Sequence, residues 1–314
     1  MNRSPCMLGL FLGTLLFAAG CHGTGRASME PPRYTILSPD GTRVSQDVLM
    51  DEAARADVVL VGETHDNPSA HHLEYALLKR LLEKRAEEKA PPGVTLSFEM
   101  LARDLQGVTD EYLSGLITEM HFMAASRPWG NYVRAYRQTL NLAKDHGAPV
   151  IAANAPRRYV NLVARKGKEA LEQLSPEAKT WIAPLPYEEA SPAYRTKLAA
   201  LERQILHAPQ KDNPHGTKAP GSPPSTINTD AQALWDATMA WSIAEALKYH
   251  PDNSVMHISG IFHCEGGLGI PEHLARYAPS ATILIITIRP PGHGDPTPSF
   301  SSDRPIPEYL VITE

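Results

Sequence analysis

Short, largely apolar runs alternate with longer amphipathic stretches along most of this chain. The apolar runs lie at 57–61, 94–98, 149–153, 254–259 and 281–288. Helical periodicity predicts helices in the stretches between them, at 68–89, 103–146, 156–167 and 229–249. Apolar strands without polar alternation are typical of a parallel sheet that is covered on both faces. We therefore expect an α/β fold with a mainly parallel central sheet flanked by helices.

Turn residues and prolines mark the smaller elements. The pattern predicts a hairpin at 34–44, helices at 46–55, 176–182 and 191–207, and a last strand at 309–312. Residues 208–228 are rich in proline, glycine and serine and contain no apolar run, which predicts a surface insertion.

Two of the predicted strands end in the same motif, Gly-x-x-His, although about two hundred residues separate them. The first motif is Gly62-Glu63-Thr64-His65, and the second is Gly260-Ile261-Phe262-His263. Open α/β sheets bind ligands at the carboxyl ends of their strands. We therefore expect both histidines to lie at one edge of the sheet and to contribute to one site.

Other polar side chains follow the predicted strands and extend this candidate site. Glu99 ends one strand, and Asn154 and Arg157 follow the next. Two imidazoles with carboxylates suit a divalent metal ion, and the same groups can perform general acid–base chemistry. Arg157 begins a predicted helix, where it either binds an anion or forms a surface salt bridge. His257 lies inside its strand and is expected in the core.

The N-terminal segment has the pattern of an export signal. Arg3 precedes an apolar segment at 7–17 that is too short to span a bilayer, and small residues then lead to Cys21. This arrangement resembles the bacterial lipoprotein processing site, and the alternative is an ordinary cleaved signal. We expect a signal peptide at 1–20, lipid on Cys21, a tether at 21–33 and one domain at 34–314. The protein would be exported and lipid-anchored to a bacterial membrane, on the outer membrane or periplasmic face if the cell has two membranes.

Charge and cysteine content narrow the classes of partner. The net charge is -5 and no basic block is present, which argues against nucleic acid as a partner. Of the three cysteines, Cys6 would leave with the signal and Cys21 would carry lipid. Cys264 alone cannot form an internal disulfide, and strand alternation turns it away from His263, so we expect it to be buried.

Four motifs together resemble those of a known family. They are Gly62-Glu63-Thr64-His65-Asp66-Asn67, Asn154-Ala155-Pro156-Arg157, the segment at 231–240 that includes Gln232 and Asp236, and Gly260-Ile261-Phe262-His263. The combination resembles the ChaN-like lipoproteins of the haem-binding uptake/Tiki superfamily, which also includes TraB-like proteins and erythromycin esterases. The resemblance covers residues from about 50 to 290. It implies a smaller helical lid or subdomain beside the sheet.

The ChaN-like branch implies haem binding during haem or iron uptake, through a tyrosine and an assisting histidine, with possible homodimer formation. Tyr75, Tyr132, Tyr136 and Tyr159 lie on predicted helices and are candidate ligands, although each could simply be a packing residue. The full set of predicted haem contacts is His65, Tyr75, Tyr136, Asn154, Arg157, Gln232, Asp236 and His263.

The other branches of the superfamily imply a metal-dependent hydrolase instead. The predicted metal ligands are then Glu63, His65, Glu99 and His263. Glu63 and His65 would also be the catalytic residues, with Glu63 as a ligand or base. Metal-bound water can be acidified to a pKa of about 7, so this chemistry would work near neutral pH. A haem-binding lipoprotein without enzymatic activity is the first hypothesis, and the hydrolase is the alternative.

Overall fold

The computed structural model describes residues 33–87, 93–207, 228–292 and 306–314. The predicted signal peptide, Cys21 and almost all of the tether and of the insertion at 208–228 lie outside the described residues. Within the described ranges, no helix has the length and apolar character needed to cross a membrane.

A central sheet organises the described part of the chain. Its strands are β1 (Tyr34–Leu37), β2 (Arg43–Val44), β3 (Val58–Glu63), β4 (Val94–Ala102), β5 (Val150–Asn154), β6 (Ser254–Gly260), β7 (Ile283–Arg289) and β8 (Glu308–Thr313). They pair in the order β2-β1-β8-β7-β3-β6-β4-β5. The pairs from β8 to β5 are parallel, and β1 pairs antiparallel with both β2 and β8. The predicted mainly parallel sheet is therefore confirmed.

Helices connect these strands. They are α1 (Gln46–Ala53), α2 (Pro68–Glu87), α3 (Gln106–Leu113), α4 (Glu119–Ser126), α5 (Tyr132–Ala135), α6 (Arg137–Asp145), α7 (Arg157–Lys166), α8 (Pro176–Lys179), α9 (Pro192–His207), α10 (Thr229–Tyr249) and α11 (Ile270–Tyr277). The sequence pattern did not predict α11. Its start nevertheless has a local signal, because Pro271 lies in the first turn and Glu272 accepts a hydrogen bond from the Gly269 N–H at 2.9 Å.

Successive strand residues pack against helices on opposite faces of the sheet. In β3, Val59 and Val61 belong to the apolar core that includes α1, α2 and α6. Val58 and Leu60 belong to a second core beneath α10 and α11. A third apolar cluster joins α7, α9 and α10. This two-sided burial explains why the strand is continuously apolar.

β4 is longer than the pattern predicts. Its pairing with β5 shifts register between Phe98 and Ala102, so Glu99 lies in an irregular part of the strand. Such irregularities re-aim side chains near functional sites. Here the irregularity directs Glu99 towards the end of β6, where its Oε2 accepts a hydrogen bond from the Gly260 N–H at 2.6 Å.

Candidate functional site

The two Gly-x-x-His motifs meet at one edge of the sheet. β3 and β6 are parallel neighbours, and their register places Gly62 opposite Ser259 and Glu63 opposite Gly260. Residues about two hundred positions apart in the sequence therefore leave adjacent strands side by side.

The glycine of each motif leaves space for residues of the segment that contains the other motif. A Cβ at Gly260 would lie 2.7 Å from Nε2 of His65. A Cβ at Gly62 would lie 2.7 Å from Sγ of Cys264 and 2.9 Å from the Cα of Ile261. Separations below 3.0 Å require displacement of the neighbour, so a side chain at Gly62 would push against the backbone of Ile261, and one at Gly260 would displace the imidazole of His65.

The first motif builds a buried network around Glu63. This side chain is 0% exposed, and its Oε1 lies 2.6 Å from Nδ1 of His65 and accepts a hydrogen bond from the Tyr136 hydroxyl at 2.8 Å. His65 has a positive φ of 65°, and the Asn131 side chain donates a hydrogen bond to its carbonyl at 2.7 Å. These contacts hold the histidine in a conformation that few side chains adopt. The Trp129 ring meets the His65 ring edge-on at 5.0 Å.

Glu63 and His65 form an ion pair at neutral pH. Burial alone would raise the pKa of Glu63, but its contacts with His65 and His71 lower that pKa to about 2. Burial alone would lower the pKa of His65, but the hydrogen bond with Glu63 and the charge of Glu99 raise it to about 9.

The second motif builds a separate network around His263. Its Nδ1 lies 2.6 Å from Oδ1 of Asp236 on α10, and the other oxygen of Asp236 accepts a hydrogen bond from the Tyr194 hydroxyl on α9. Its Nε2 lies 3.7 Å from Oε1 of Glu99. Burial alone would lower the pKa of His263, but the charges of Asp236 and Glu99 raise it. A buried carboxylate that orients a histidine is an arrangement suited to acid–base chemistry.

A partly buried lysine stabilises the backbone just after the second motif. Lys197 on α9 donates hydrogen bonds to the carbonyls of Phe262 at 2.9 Å and of Glu265 at 2.8 Å. Burial lowers its pKa, and the nearby charge of Glu265 opposes that shift. The helix that supplies Tyr194 therefore also holds the backbone around His263.

Two residues near the motifs lie in the core, as the sequence predicts. His257 is fully buried, its Nδ1 lies 2.8 Å from the Ser97 hydroxyl, and burial lowers its pKa to about 3. Cys264 is buried as a free thiol, and burial raises its pKa. Neither faces the candidate site.

The four predicted metal ligands fall into two pairs. Glu63 pairs with His65, and Glu99 faces His263. Among the described residues, Glu63, His71 and Glu74 form the one group in which three potential ligand atoms lie within 4.8 Å of one another. In this conformation the predicted four do not form one compact ligand set.

The predicted haem contacts are also distributed unevenly. Burial and the charge of Glu63 raise the pKa of Tyr136, and its hydroxyl donates a hydrogen bond to Glu63. Asp236 is buried between His263 and Tyr194 and orients the histidine instead of facing a ligand.

The other predicted haem contacts lie on separate elements. Tyr75 on α2 and Gln232 on α10 are half-buried. Asn154 accepts a hydrogen bond from the Ala155 N–H at 2.9 Å, and Arg157 is exposed at the start of α7. Arg157 thus remains in a position to meet an anion at a helix N-terminus.

Several residues of the two networks were not among the site residues predicted from the sequence. They are His71, Glu74, Trp129 and Tyr194. His71 and Glu74 stand three positions apart on α2 and so share a helix face, a signal that the sequence does contain. Tyr194 reaches Asp236 only because α9 and α10 pack together, which no local pattern indicates.

An apolar pocket lies beside the first network. Its lining includes Phe98, Met100, Leu101, Trp129 and Tyr132. Because Trp129 also contacts the ring of His65, the pocket adjoins the only partly exposed histidine among the site residues described above. Its volume is only about 10 Å³, whereas small-molecule sites usually measure about 300–1,000 Å³, so a ligand would require the pocket to widen.

A model of the protein family described as "Haem-binding uptake, Tiki superfamily, ChaN" matches residues 49–274. The chain belongs to this ChaN family. The match covers both Gly-x-x-His motifs, α2, α9 and α10. The family resemblance that the motifs predict is therefore confirmed.

One solved structure agrees with this membership at the level of the fold. The structure of ChaN from Campylobacter jejuni with cofacially bound haem is 18% identical, with a TM-score of 0.64, and the alignment covers 90% of this chain and 97% of that one. A mutant of the erythromycin esterase EreC in its open conformation is 13% identical over 90% of this chain and 83% of its own, with a TM-score of 0.42. No curated protein sequence matches the chain.

Proposed function

We propose that this ChaN-family chain binds haem and takes part in haem or iron uptake. The observation that carries the proposal is the family match across residues 49–274. Haem binding needs an apolar slot, an axial ligand and cationic groups for the propionates. The exposed Arg157 supports the third requirement, and the small pocket beside Trp129 would have to widen to meet the first.

For the axial ligand, we propose Tyr75. Burial raises the pKa of both Tyr132 and Tyr136, which disfavours the phenolate that ferric haem requires. Tyr75 is only half-buried, and no hydrogen bond to its hydroxyl is found among the described residues. A second copy of the chain would complete the site, as the family resemblance implies. Exposed apolar side chains at Leu116, Met120 and Val133 are compatible with such an association.

Haemin titration of the purified full chain tests this function. We expect a 1:1 spectral change with the charge-transfer band of a tyrosinate-ligated ferric haem. The Tyr75→Phe variant should lose that band, whereas Tyr112→Phe should keep it, because Tyr112 is buried and donates to Asn141 at 2.6 Å. Chromatography with and without haemin reports on dimer formation.

The outcomes of this titration separate two claims. A wild-type protein whose spectrum does not respond to stoichiometric haemin would refute haem binding. A normal tyrosinate band in Tyr75→Phe would leave haem binding intact and exclude Tyr75 as the ligand.

A metal-dependent hydrolase remains the second candidate function. The observation that favours it is the chain of contacts from Tyr194 through Asp236 and His263 to Glu99. Asp236 holds the imidazole in one orientation and stabilises its charged form. His65 lies close to Glu99 at the same edge, since both approach Gly260. These groups would bind the metal or transfer protons to a substrate.

We also propose that lipid on Cys21 attaches the protein to a bacterial membrane, and that the segment at 21–33 connects this anchor to the folded domain. The wild-type precursor should appear in the membrane fraction of a bacterial host, and Cys21→Ser should move to the soluble fraction. Cys264→Ser is the matched control, because that thiol is buried in the folded domain. Membrane retention of Cys21→Ser would refute lipid attachment at this position.

A further inference from the structure

Three ionisable side chains meet on the α2 side of the first network. Glu63 at the end of β3 and Glu74 on α2 are 0% exposed, and His71 on α2 is 9% exposed. One ligand atom of each lies within 4.8 Å of the others. Two carboxylates and one imidazole are thus enclosed together in the interior of the protein.

Glu74 lacks partners within this enclosure. Neither of its carboxylate oxygens has a hydrogen-bond partner in the described part of the chain, and the same holds for Nε2 of His71. The contact of that Nε2 with Oε2 of Glu63 measures 3.3 Å. A buried carboxylate without a partner is costly, and a second carboxylate nearby increases the cost. Burial and the charge of Glu63 raise the pKa of Glu74 well above its usual value, and a cation among the three side chains would displace that proton and bind the carboxylate.

The surroundings orient these side chains in advance. His71 and Glu74 are three positions apart on α2 and so face the same way. Oε1 of Glu63 is held by Tyr136 and His65, and its Oε2 accepts a hydrogen bond from the His65 N–H and also faces Nε2 of His71. Hydrogen bonds that fix a ligating carboxylate from outside are characteristic of metal sites.

We propose that Glu63, His71 and Glu74 together bind one divalent transition-metal ion. Carboxylate and imidazole ligands suit ions such as Zn²⁺ and Mn²⁺. Metal–ligand bonds of about 2.0–2.2 Å place ligand atoms at most about 4.4 Å apart, so only small side-chain adjustments are needed. The ion would neutralise Glu74, whereas Glu63 would be shared between the ion and His65. This set shares only Glu63 with the ligands predicted from the sequence, and it does not depend on haem binding.

Metal titration of the purified, chelator-treated full chain tests the site. The wild-type protein should bind one equivalent of Zn²⁺ or Mn²⁺ by calorimetry, and Zn²⁺ should raise its melting temperature because the ion binds only the folded state. Glu74→Gln and His71→Gln should each weaken binding at least tenfold and abolish the thermal shift. Both variants remove a ligand with little change in volume, so circular dichroism and melting of the metal-free forms verify folding.

Two control variants make the result specific. Glu83→Gln, on the solvent-exposed face of α2, should bind metal as the wild type does. His263→Gln should also retain the ion, because His263 belongs to the other network. A wild type that binds neither ion, undiminished binding by Glu74→Gln, or loss of binding confined to His263→Gln would each overturn the proposal. Haemin titration of Glu74→Gln should match that of the wild type. Loss of haem binding would therefore count against the proposed function and not against the metal site.

Discussion

Replacement of Glu63 by alanine is expected to lower the free energy of unfolding by about 3–5 kcal/mol, the usual cost of removing one partner from a buried ion pair. Glu63 is fully buried and satisfies both the imidazole of His65 and the hydroxyl of Tyr136. Without it, the charge on His65 and a buried hydroxyl have no acceptor in this position. The backbone N–H of His65 also loses its contact with the carboxylate.

Urea denaturation in the presence of a chelator measures this effect without a contribution from bound metal. Glu83→Ala serves as the control, since its ion pair with Lys79 is solvent-exposed at 3.7 Å and such pairs contribute about 0.3–0.5 kcal/mol. Equal stabilities for Glu63→Ala and Glu83→Ala would contradict the buried network.

The same ion pair should make stability dependent on pH. The pKa of His65 is raised from 6.5 to about 9 in the folded protein, so the folded state holds its proton more tightly than the unfolded state. The resulting stability is fully present below about pH 6.5 and is lost as the pH rises through about 9. In Glu63→Gln the hydrogen-bonded carboxylate charge is absent, and the decline over this range should be smaller. An equally steep decline in the variant would argue against the pairing.

Replacement of Asp236 by alanine is expected to have a comparable effect on the second network, again about 3–5 kcal/mol. Asp236 is buried and joins His263 to Tyr194, two groups that lie on different elements and are themselves buried. The pKa of His263 should fall in the variant, because the charge of Asp236 no longer opposes the effect of burial.

Nuclear magnetic resonance titration of the His263 imidazole and urea denaturation measure these two consequences. Asp252→Ala, at an exposed position after α10, should change stability by no more than about 0.5 kcal/mol. If the protein hydrolyses an ester substrate, Asp236→Ala should also lose roughly a hundredfold or more in rate, as expected when an acid–base histidine loses its orienting partner. An unchanged pKa for His263 would refute the assigned role of Asp236.

Much of the fold could be predicted because its causes are local. Apolar runs bounded by turn residues predict the parallel strands. Capping residues at Thr229-Asp230 and the helix-breaking Pro251 predict α10, which spans Thr229–Tyr249 with Asn228 as its N-cap. α11 was missed because its eight residues are too few to establish a period. The extension of β4 to Ala102 was missed because an irregular register has no signature in the pattern of apolar residues.

The candidate site could be located from the sequence, but its internal arrangement could not. The repeated Gly-x-x-His motif predicts two strand ends at one sheet edge, and the adjacent β3 and β6 confirm that placement. The prediction grouped Glu63, His65, Glu99 and His263 as one ligand set. In the structure Glu63 contacts His65 and Asp236 contacts His263, while Glu99 approaches both histidines, and no local pattern specifies these contacts.

The sequence by itself determined the order of strands and helices, the family and the edge at which the motifs lie, because these depend on periodicity and on short motifs. The tertiary structure alone decided which side chains meet. Glu74 and His71 face Glu63 because α2 packs against β3, and Tyr194 reaches Asp236 because α9 packs against α10. Contacts between elements distant in the chain depend on packing geometry, which no local pattern of residues specifies.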